Sequence, residues 1–336
     1  MAIVAVTNRI PEVGLAKLRA EHEVRAWEHG ECIPREEALR LIAGADAVLT
    51  LLTERVDGEF LDAAGPQLKV VANVAVGYNN IDVAACEAHG VIATNTPRVL
   101  TETTADTAFG LMLMVTRRFG EGERIIRSQT PWQWGMFYLL GMGLQGKTIG
   151  IVGMGQIGVA MARRAKAFGM TIEYADDYDP PAAALEGLDA RKVSLDELFE
   201  TADVVSLHCP YGPSTHHLVD AARLRSMKHT AYLVNSARGP IVDEDALVAA
   251  LRGRDRGRRA GCLRERAGRA SGAARAGERR PAAAPRIGHD RDPRRDGRAR
   301  CRQRARRPAR RPPDHPGDQD LTSATGRRAR PQHRKV

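Results

Sequence analysis

The sequence predicts an α/β protein with two Rossmann-like or flavodoxin-like domains, each built on a parallel sheet, and a C-terminal segment that is disordered on its own. Three observations predict it. Short apolar runs alternate with helical patterns through the first 252 residues, the arrangement that builds βαβ units. A glycine-rich run, Gly153-Met154-Gly155-Gln156-Ile157-Gly158, stands between an apolar strand and a helical pattern. The composition then changes abruptly after Arg252.

The elements follow in order. Ile3–Val6 is an apolar run that reads as a buried strand, and residues 14–22 read as a helix. Arg35–Ile42 has helical periodicity, whereas residues 47–51 and 68–74 are strand-like. Residues 101–118 form the strongest helical pattern. Thr101 and Thr104 are placed to cap its start, and residues 111–115 are apolar on nearly every side, as in a helix buried between domains. A second alternation runs through a strand at 147–152, a helix at 159–168, and strands at 170–174 and 231–235. It ends in a helix over 245–252. The expected boundaries fall near 100 and 252.

The overall charge of +10 averages two unlike parts. Residues 253–336 carry 26 Arg and one Lys against nine acidic residues, a net +18, while residues 1–252 carry a net −8. The tail consists mostly of Arg, Ala, Gly and Pro, and its large apolar side chains are Leu263, Ile287, Leu321 and Val336. Such a segment cannot bury enough surface to offset its conformational entropy. The basic balance therefore says nothing about partners of the first 252 residues. The five cysteines have neither metal-ligand spacing nor a disulfide pattern, so free thiols in a reducing cytoplasm and no metal are expected. Neither a secretory leader nor a membrane span is expected.

The glycine run has the context that dinucleotide binding requires. Gly153 permits a tight turn, Gly155 lets the backbone approach a pyrophosphate, and Gly158 lets helix and strand pack closely. Gln156 and Ile157 complete the run before the helix, whose N-terminus offers free N–H groups to phosphate. The next strand ends in Asp176-Asp177, and Asp176 lies 18 residues beyond Gly158. That spacing suits an acid bonding the adenosine ribose hydroxyls. Two acids with no adjacent Arg or Lys would repel a 2′-phosphate, so NADH is expected over NADPH. The plainer alternative is that these acids cap a loop.

Several motifs in order then carry a resemblance. They are Val76-Gly77-Tyr78-Asn79-Asn80-Ile81-Asp82, Thr94-Asn95-Thr96-Pro97, Thr104-Ala105-Asp106-Thr107-Ala108, the run from Leu144 to Gly153, Leu207-His208-Cys209-Pro210, and Leu233-Val234-Asn235-Ser236-Ala237-Arg238-Gly239 leading to Val242-Asp243-Glu244. Over residues 1–252 the chain resembles the D-isomer-specific 2-hydroxyacid dehydrogenases, in particular the glyoxylate/hydroxypyruvate reductases. The resemblance implies a substrate domain over 1–100 and an NAD-binding domain over 101–252. It implies reduction of a small 2-oxoacid, glyoxylate or hydroxypyruvate, by a homodimer. Val76 and Gly77 would offer backbone N–H groups to the substrate carboxylate. Thr104, Cys209, Pro210 and Ser236 would line the nicotinamide side, and Arg238 would grip the carboxylate and the reacting carbonyl. Arg238 also follows a strand end, where open α/β sheets bind ligands, and a guanidinium suits both tasks. His208 is expected to be packed or cofactor-adjacent, and His216 and His217 to lie on the surface. Trp132 and Trp134 either reach a neighbouring subunit or pack locally.

After Arg252 the resemblance stops. Three functional residues belong beyond it: an Asp in a Gly-Leu-Asp-Val strand, a Glu that orients the acid/base, and the His that protonates the carbonyl oxygen. None is present in the written chain. Plausible codons for residues 258–267, read with one base dropped, give Ala-Gly-Leu-Asp-Val-Tyr-Glu-Ser-Glu-Pro. The same shift over residues 282–293 gives Leu-Pro-His-Leu-Gly-Ser-Ala-Thr-Thr-Glu-Thr-Arg. The Asp, Glu and His then fall where the chain has Gly261, Arg264 and Ala284. A change of reading frame near residues 251–255 is therefore expected, with loss of activity in the written chain. The alternatives are a non-catalytic NAD-binding corepressor-like module with a basic tail, or the same chemistry on phosphoglycerate or D-lactate. The absence of aromatics from the tail argues against nucleic acid.

Overall fold

Two parallel five-stranded sheets organise the computed structural model, which describes residues 1–255. The first sheet contains β1 (Ile3–Val6), β2 (Glu23–Ala26), β3 (Ala47–Thr50), β4 (Val70–Asn73) and β5 (Ile92–Thr94), in the order β2-β1-β3-β4-β5. Helices α1 (Glu12–Glu21), α2 (Arg35–Ile42), α3 (Gly58–Ala64) and α4 (Val83–Ala88) connect them. The second contains β6 (Thr148–Val152), β7 (Thr171–Ala175), β8 (Arg191–Lys192), β9 (Val204–Leu207) and β10 (Tyr232–Asn235), in the order β10-β9-β6-β7-β8. Between the sheets in sequence come α5 (Thr101–Thr116) and α6 (Phe119–Arg127). After β6 come α7 (Gln156–Ala167), α8 (Ala182–Leu185), α9 (Leu195–Thr201), α10 (Ala221–Ser226) and α11 (Glu244–Asp255).

Each sheet reverses direction once, between β1 and β3 in the first and between β6 and β9 in the second. At such a reversal the loops part at the carboxyl ends of the strands and leave a crevice. Parallel strands are covered on both faces and so are mostly apolar; β9 is buried at every position, with Ser206 its one polar residue. Phe60 and Phe199 are fully buried, one in each domain's core, and each such ring contributes roughly 1.5–3 kcal/mol. Short polar side chains start the connecting helices. Asp57, Asp82, Ser194 and Asp220 accept from the N–H groups of Phe60, Ala85, Glu197 and Arg223, each cap contributing about 1 kcal/mol.

The structure corrects two expectations for α5. Leu100 occupies the cap position with no side-chain bond, and the Thr101 hydroxyl donates to Gln156 instead, so neither Thr101 nor Thr104 caps the helix. The 111–115 stretch is not wholly buried, because Met114 is exposed. The last helix also continues to Asp255, past the expected end at 252. The expected disorder of the tail, and the positions Gly261, Arg264 and Ala284, lie outside the described residues. No helix among the described residues is long and apolar enough to cross a membrane, and no cluster of metal-ligating side chains occurs among them.

Candidate active site

The glycine loop is shaped by contacts that a side chain would break. Gly153 has φ +92°, and a Cβ there would meet the Cys209 backbone nitrogen at 2.5 Å. A Cβ on Gly158 would lie 2.2 Å from the Gly153 carbonyl oxygen. Both glycines therefore serve internal packing, the first against the end of β9 and the second between helix and loop. Gly155 differs. It caps α7 without a side-chain bond, and a Cβ there would meet nothing within 4 Å. Open space beside the unpaired N–H groups of a helix start is the room a pyrophosphate needs.

Asp176 ends the neighbouring strand. Its Oδ2 accepts from the Met154 N–H at 2.6 Å and its Oδ1 from the Tyr178 N–H at 3.0 Å. The same carboxylate thus holds the glycine loop and retains lone pairs for ribose hydroxyls. Lys192, two strands from the loop, pairs with Asp179 at 2.6 Å and senses the charge of Asp176. Sequence spacing alone could not reveal this lysine, because β8 brings it in from 16 residues away.

Burial governs the end of β9. It pushes His208 down to about 4, so the ring is neutral, with Nε2 2.8 Å from the Ser206 hydroxyl. Burial also pushes the Cys209 thiol up to about 11. Pro210, exposed beside them, gives its carbonyl to the Thr215 hydroxyl. His216 and His217 are exposed and stacked on each other at 3.9 Å. The Ser236 Oγ is buried with no hydrogen-bond partner among the described residues. Thr104 lies in the first turn of α5, tied to the start of α7 by the Thr101–Gln156 bond. An orphaned buried hydroxyl, an open glycine cradle and an acid at the strand end together fit a nicotinamide dinucleotide.

The two sheets meet at Arg238. Its guanidinium is half-buried, and burial lowers its pKa from the usual value. It pairs with no carboxylate among the described residues. Its Nε donates to Asn79 Oδ1 at 3.2 Å and its Nη1 to the Ala237 carbonyl at 2.9 Å. A Cβ on Gly77 would lie 2.3 Å from Nη2. The guanidinium thus packs directly against the Gly77 backbone, where a side chain would displace it. Sequence reasoning missed Asn235, whose side chain donates to the Arg238 carbonyl at 2.7 Å and accepts from the Ala237 N–H at 3.0 Å. This clasp shapes the loop that carries Ser236 and Arg238. It also missed Asn79, and Glu54, whose buried carboxylate takes bonds from Thr7, Asn8, Thr53 and the Leu51 N–H. No spacing rule marks such residues; only the fold brings their partners near.

Val76, Gly77 and Arg238 are thus brought together, as are Gly153, Gly155, Gln156, Ile157, Gly158, Asp176 and Cys209. Trp132 stacks on Tyr138, while Trp134, Met136 and Phe137 are more than two-thirds exposed. Local packing therefore does not account for Trp134.

Comparison with known proteins gives the same answer. Residues 109–260 match the family model described as D-isomer specific 2-hydroxyacid dehydrogenase, NAD binding domain. A glyoxylate reductase of Thermococcus onnurineus is 47% identical over 254 residues, covering 74% of this chain and 75% of that protein. The TT0316 protein from Thermus thermophilus superposes with a TM-score of 0.69 at 42% identity, covering 74% of this chain and 78% of the other. A glyoxylate reductase from Paecilomyes thermophila superposes at 0.67 with 32% identity, over 75% and 78% of the two chains. The chain belongs to the D-isomer specific 2-hydroxyacid dehydrogenase family, NAD(H)-dependent oxidoreductases that reduce 2-oxoacids.

Proposed function

We propose that this dehydrogenase acts on a small 2-oxoacid, glyoxylate or hydroxypyruvate, using NADH in preference to NADPH. The observation that carries the reading is Arg238: a half-buried guanidinium without a carboxylate partner among the described residues, packed on the bare backbone of Gly77. An unpaired, partly desolvated cation gains most from an anionic ligand. Arg238 grips the substrate carboxylate and stabilises negative charge on the carbonyl oxygen, while the N–H groups of Val76 and Gly77 hold the carboxylate. Bound NADH supplies the hydride. Gly155, Gln156 and Ile157 receive the pyrophosphate at the start of α7, and Asp176 bonds the ribose, with Asp177 beside it opposing a 2′-phosphate. Thr104, Cys209, Pro210 and Ser236 flank the nicotinamide. The glyoxylate reductases among the relatives favour the small substrates.

The written chain lacks the proton donor, its orienting Glu and a nicotinamide contact. The reading frame changes near residues 251–255, and the intact gene product carries these three in place of Ala284, Arg264 and Gly261. The open outer edge of β10, which pairs only with β9 among the described residues, suits the strand that the shifted frame would encode. Without a general acid, turnover falls on the order of 10²–10⁴-fold. The free thiols suit a reducing cytoplasm, and the apolar surface from α6 to Leu140 suits a second copy of the chain.

Sequencing the gene across residues 245–260 tests the frame. The frame-restored and written chains are then compared for NADH consumption with glyoxylate, hydroxypyruvate, phosphohydroxypyruvate and pyruvate. Activity of the restored chain on the first two, with a large drop in the written chain, is the expected result. An uninterrupted frame with equal activity in the written chain refutes the proposal.

A further inference from the structure

The loop after β4 carries three consecutive peptide groups whose carbonyls are all occupied. The Ala75 carbonyl accepts from the Thr96 N–H at 2.9 Å, the Val76 carbonyl from Asn95 Nδ2 at 2.8 Å, and the Gly77 carbonyl from Asn73 Nδ2 at 2.9 Å. A trans peptide is planar, so binding its carbonyl turns the following N–H the opposite way. The three N–H groups concerned belong to Val76, Gly77 and Tyr78, and none has an acceptor among the described residues. Consecutive unpaired N–H groups form an anion-binding concavity. The Arg238 guanidinium stands against it at Gly77.

Asn73 and Asn80 are themselves held. Asn73 is buried at the end of β4, and its Oδ1 accepts from the Thr50 hydroxyl at 3.1 Å. Asn80, which donates to the Leu51 and Glu54 carbonyls, closes the loop from its far end. The Asn73 amide is buried with its oxygen and its nitrogen both partnered, so it holds one orientation, because rotation would leave a polar group unpaired.

We propose that Asn73 and Asn95 are positioning residues of the substrate-carboxylate site. They aim the N–H groups of Gly77 and Tyr78 at the substrate, and the Tyr78 N–H is a third backbone donor beside those of Val76 and Gly77. This rests on the carboxylate-binding reading of Arg238 above. Neither asparagine touches the substrate; each acts through the peptide group whose carbonyl it takes.

The test uses the full ¹⁵N-labelled chain titrated with oxamate, which carries the carboxylate and adjacent carbonyl of a 2-oxoacid and does not accept hydride. The Gly77 and Tyr78 amide resonances and the Arg238 Nε–H should shift together on binding. Asn95→Asp keeps the side-chain shape but removes the donor, and it should abolish the Gly77 response and weaken oxamate on the order of tenfold while Arg238 still responds. Asn73→Asp should do the same at Tyr78. A merely structural role would lower the melting temperature without separating the Gly77 and Tyr78 responses. If Arg238 responds in the wild type and the two amides do not, or if Asn95→Asp binds as the wild type does, the positioning role is refuted and the carboxylate reading stands. If no resonance responds, the carboxylate reading falls with it. Should Asn73→Asp not fold, the wild-type Tyr78 response and Asn95→Asp decide the matter.

Discussion

Substituting the three loop glycines by alanine separates packing from cofactor binding. At Gly155 the added Cβ meets nothing within 4 Å, and the backbone has ordinary cap angles, φ −71° and ψ −165°. Stability should therefore change by less than about 0.5 kcal/mol. The same methyl group occupies the space where a pyrophosphate approaches the first N–H groups of α7. Losing one charge-assisted hydrogen bond costs about 1.5–3 kcal/mol, or roughly 10- to 150-fold in NADH affinity. At Gly158 the Cβ lies 2.2 Å from a backbone oxygen, which cannot rotate away. The helix must lift from the loop, at about 1–3 kcal/mol, and this outweighs the usual gain of alanine over glycine in a helix. At Gly153 a positive φ adds to contact with the Cys209 backbone, so Gly153→Ala should be at least as destabilising. Thermal unfolding and NADH titration by protein fluorescence read the two effects separately. Gly155→Ala with wild-type NADH affinity would refute the cradle. A melting temperature lowered as much by Gly155→Ala as by Gly158→Ala would refute the packing argument.

Three further outcomes follow from the site. Arg238→Met should leave the melting temperature unchanged or raised, since it removes a half-buried cation with no carboxylate partner among the described residues, while 2-oxoacid affinity falls on the order of 10²-fold by calorimetry. Because burial holds His208 near 4 and an unfolded histidine titrates near 6.5, the unfolded chain binds the proton between these values and the native chain does not. Stability should therefore decline as pH falls through that window, by at most about 3 kcal/mol from this residue, and urea midpoints should show a flatter decline in His208→Gln. Iodoacetamide at neutral pH should alkylate exposed Cys32 while sparing Cys209, whose thiol is pushed up to about 11; peptide mapping that finds Cys209 modified first would contradict the burial argument.

Much of the molecule was legible from local pattern. The strand Ile3–Val6 and the helix Arg35–Ile42 appear with the expected bounds, because buried parallel strands and amphipathic helices impose their periods directly on the sequence. The glycine loop was legible for a related reason: a turn, a close approach and a helix start demand glycine at fixed intervals. The short edge strands β2 and β8 carry charged residues and no apolar run, so nothing local marked them. The α5 cap failed because Thr101 found a partner in Gln156, 55 residues away, and local spacing cannot anticipate such competition.

The sequence by itself determined the α/β class, the dinucleotide loop and the abrupt change of composition after Arg252. The first two depend on residue types at short, regular spacings. Tertiary structure alone decided what surrounds Arg238. Asn79 and Gly77 lie about 160 residues from it, and they matter only because two separately wound sheets present their carboxyl ends to one another. It likewise decided that His208 is neutral and that Ser236 lacks a partner among the described residues, since desolvation depends on how many atoms from distant segments exclude water at one point.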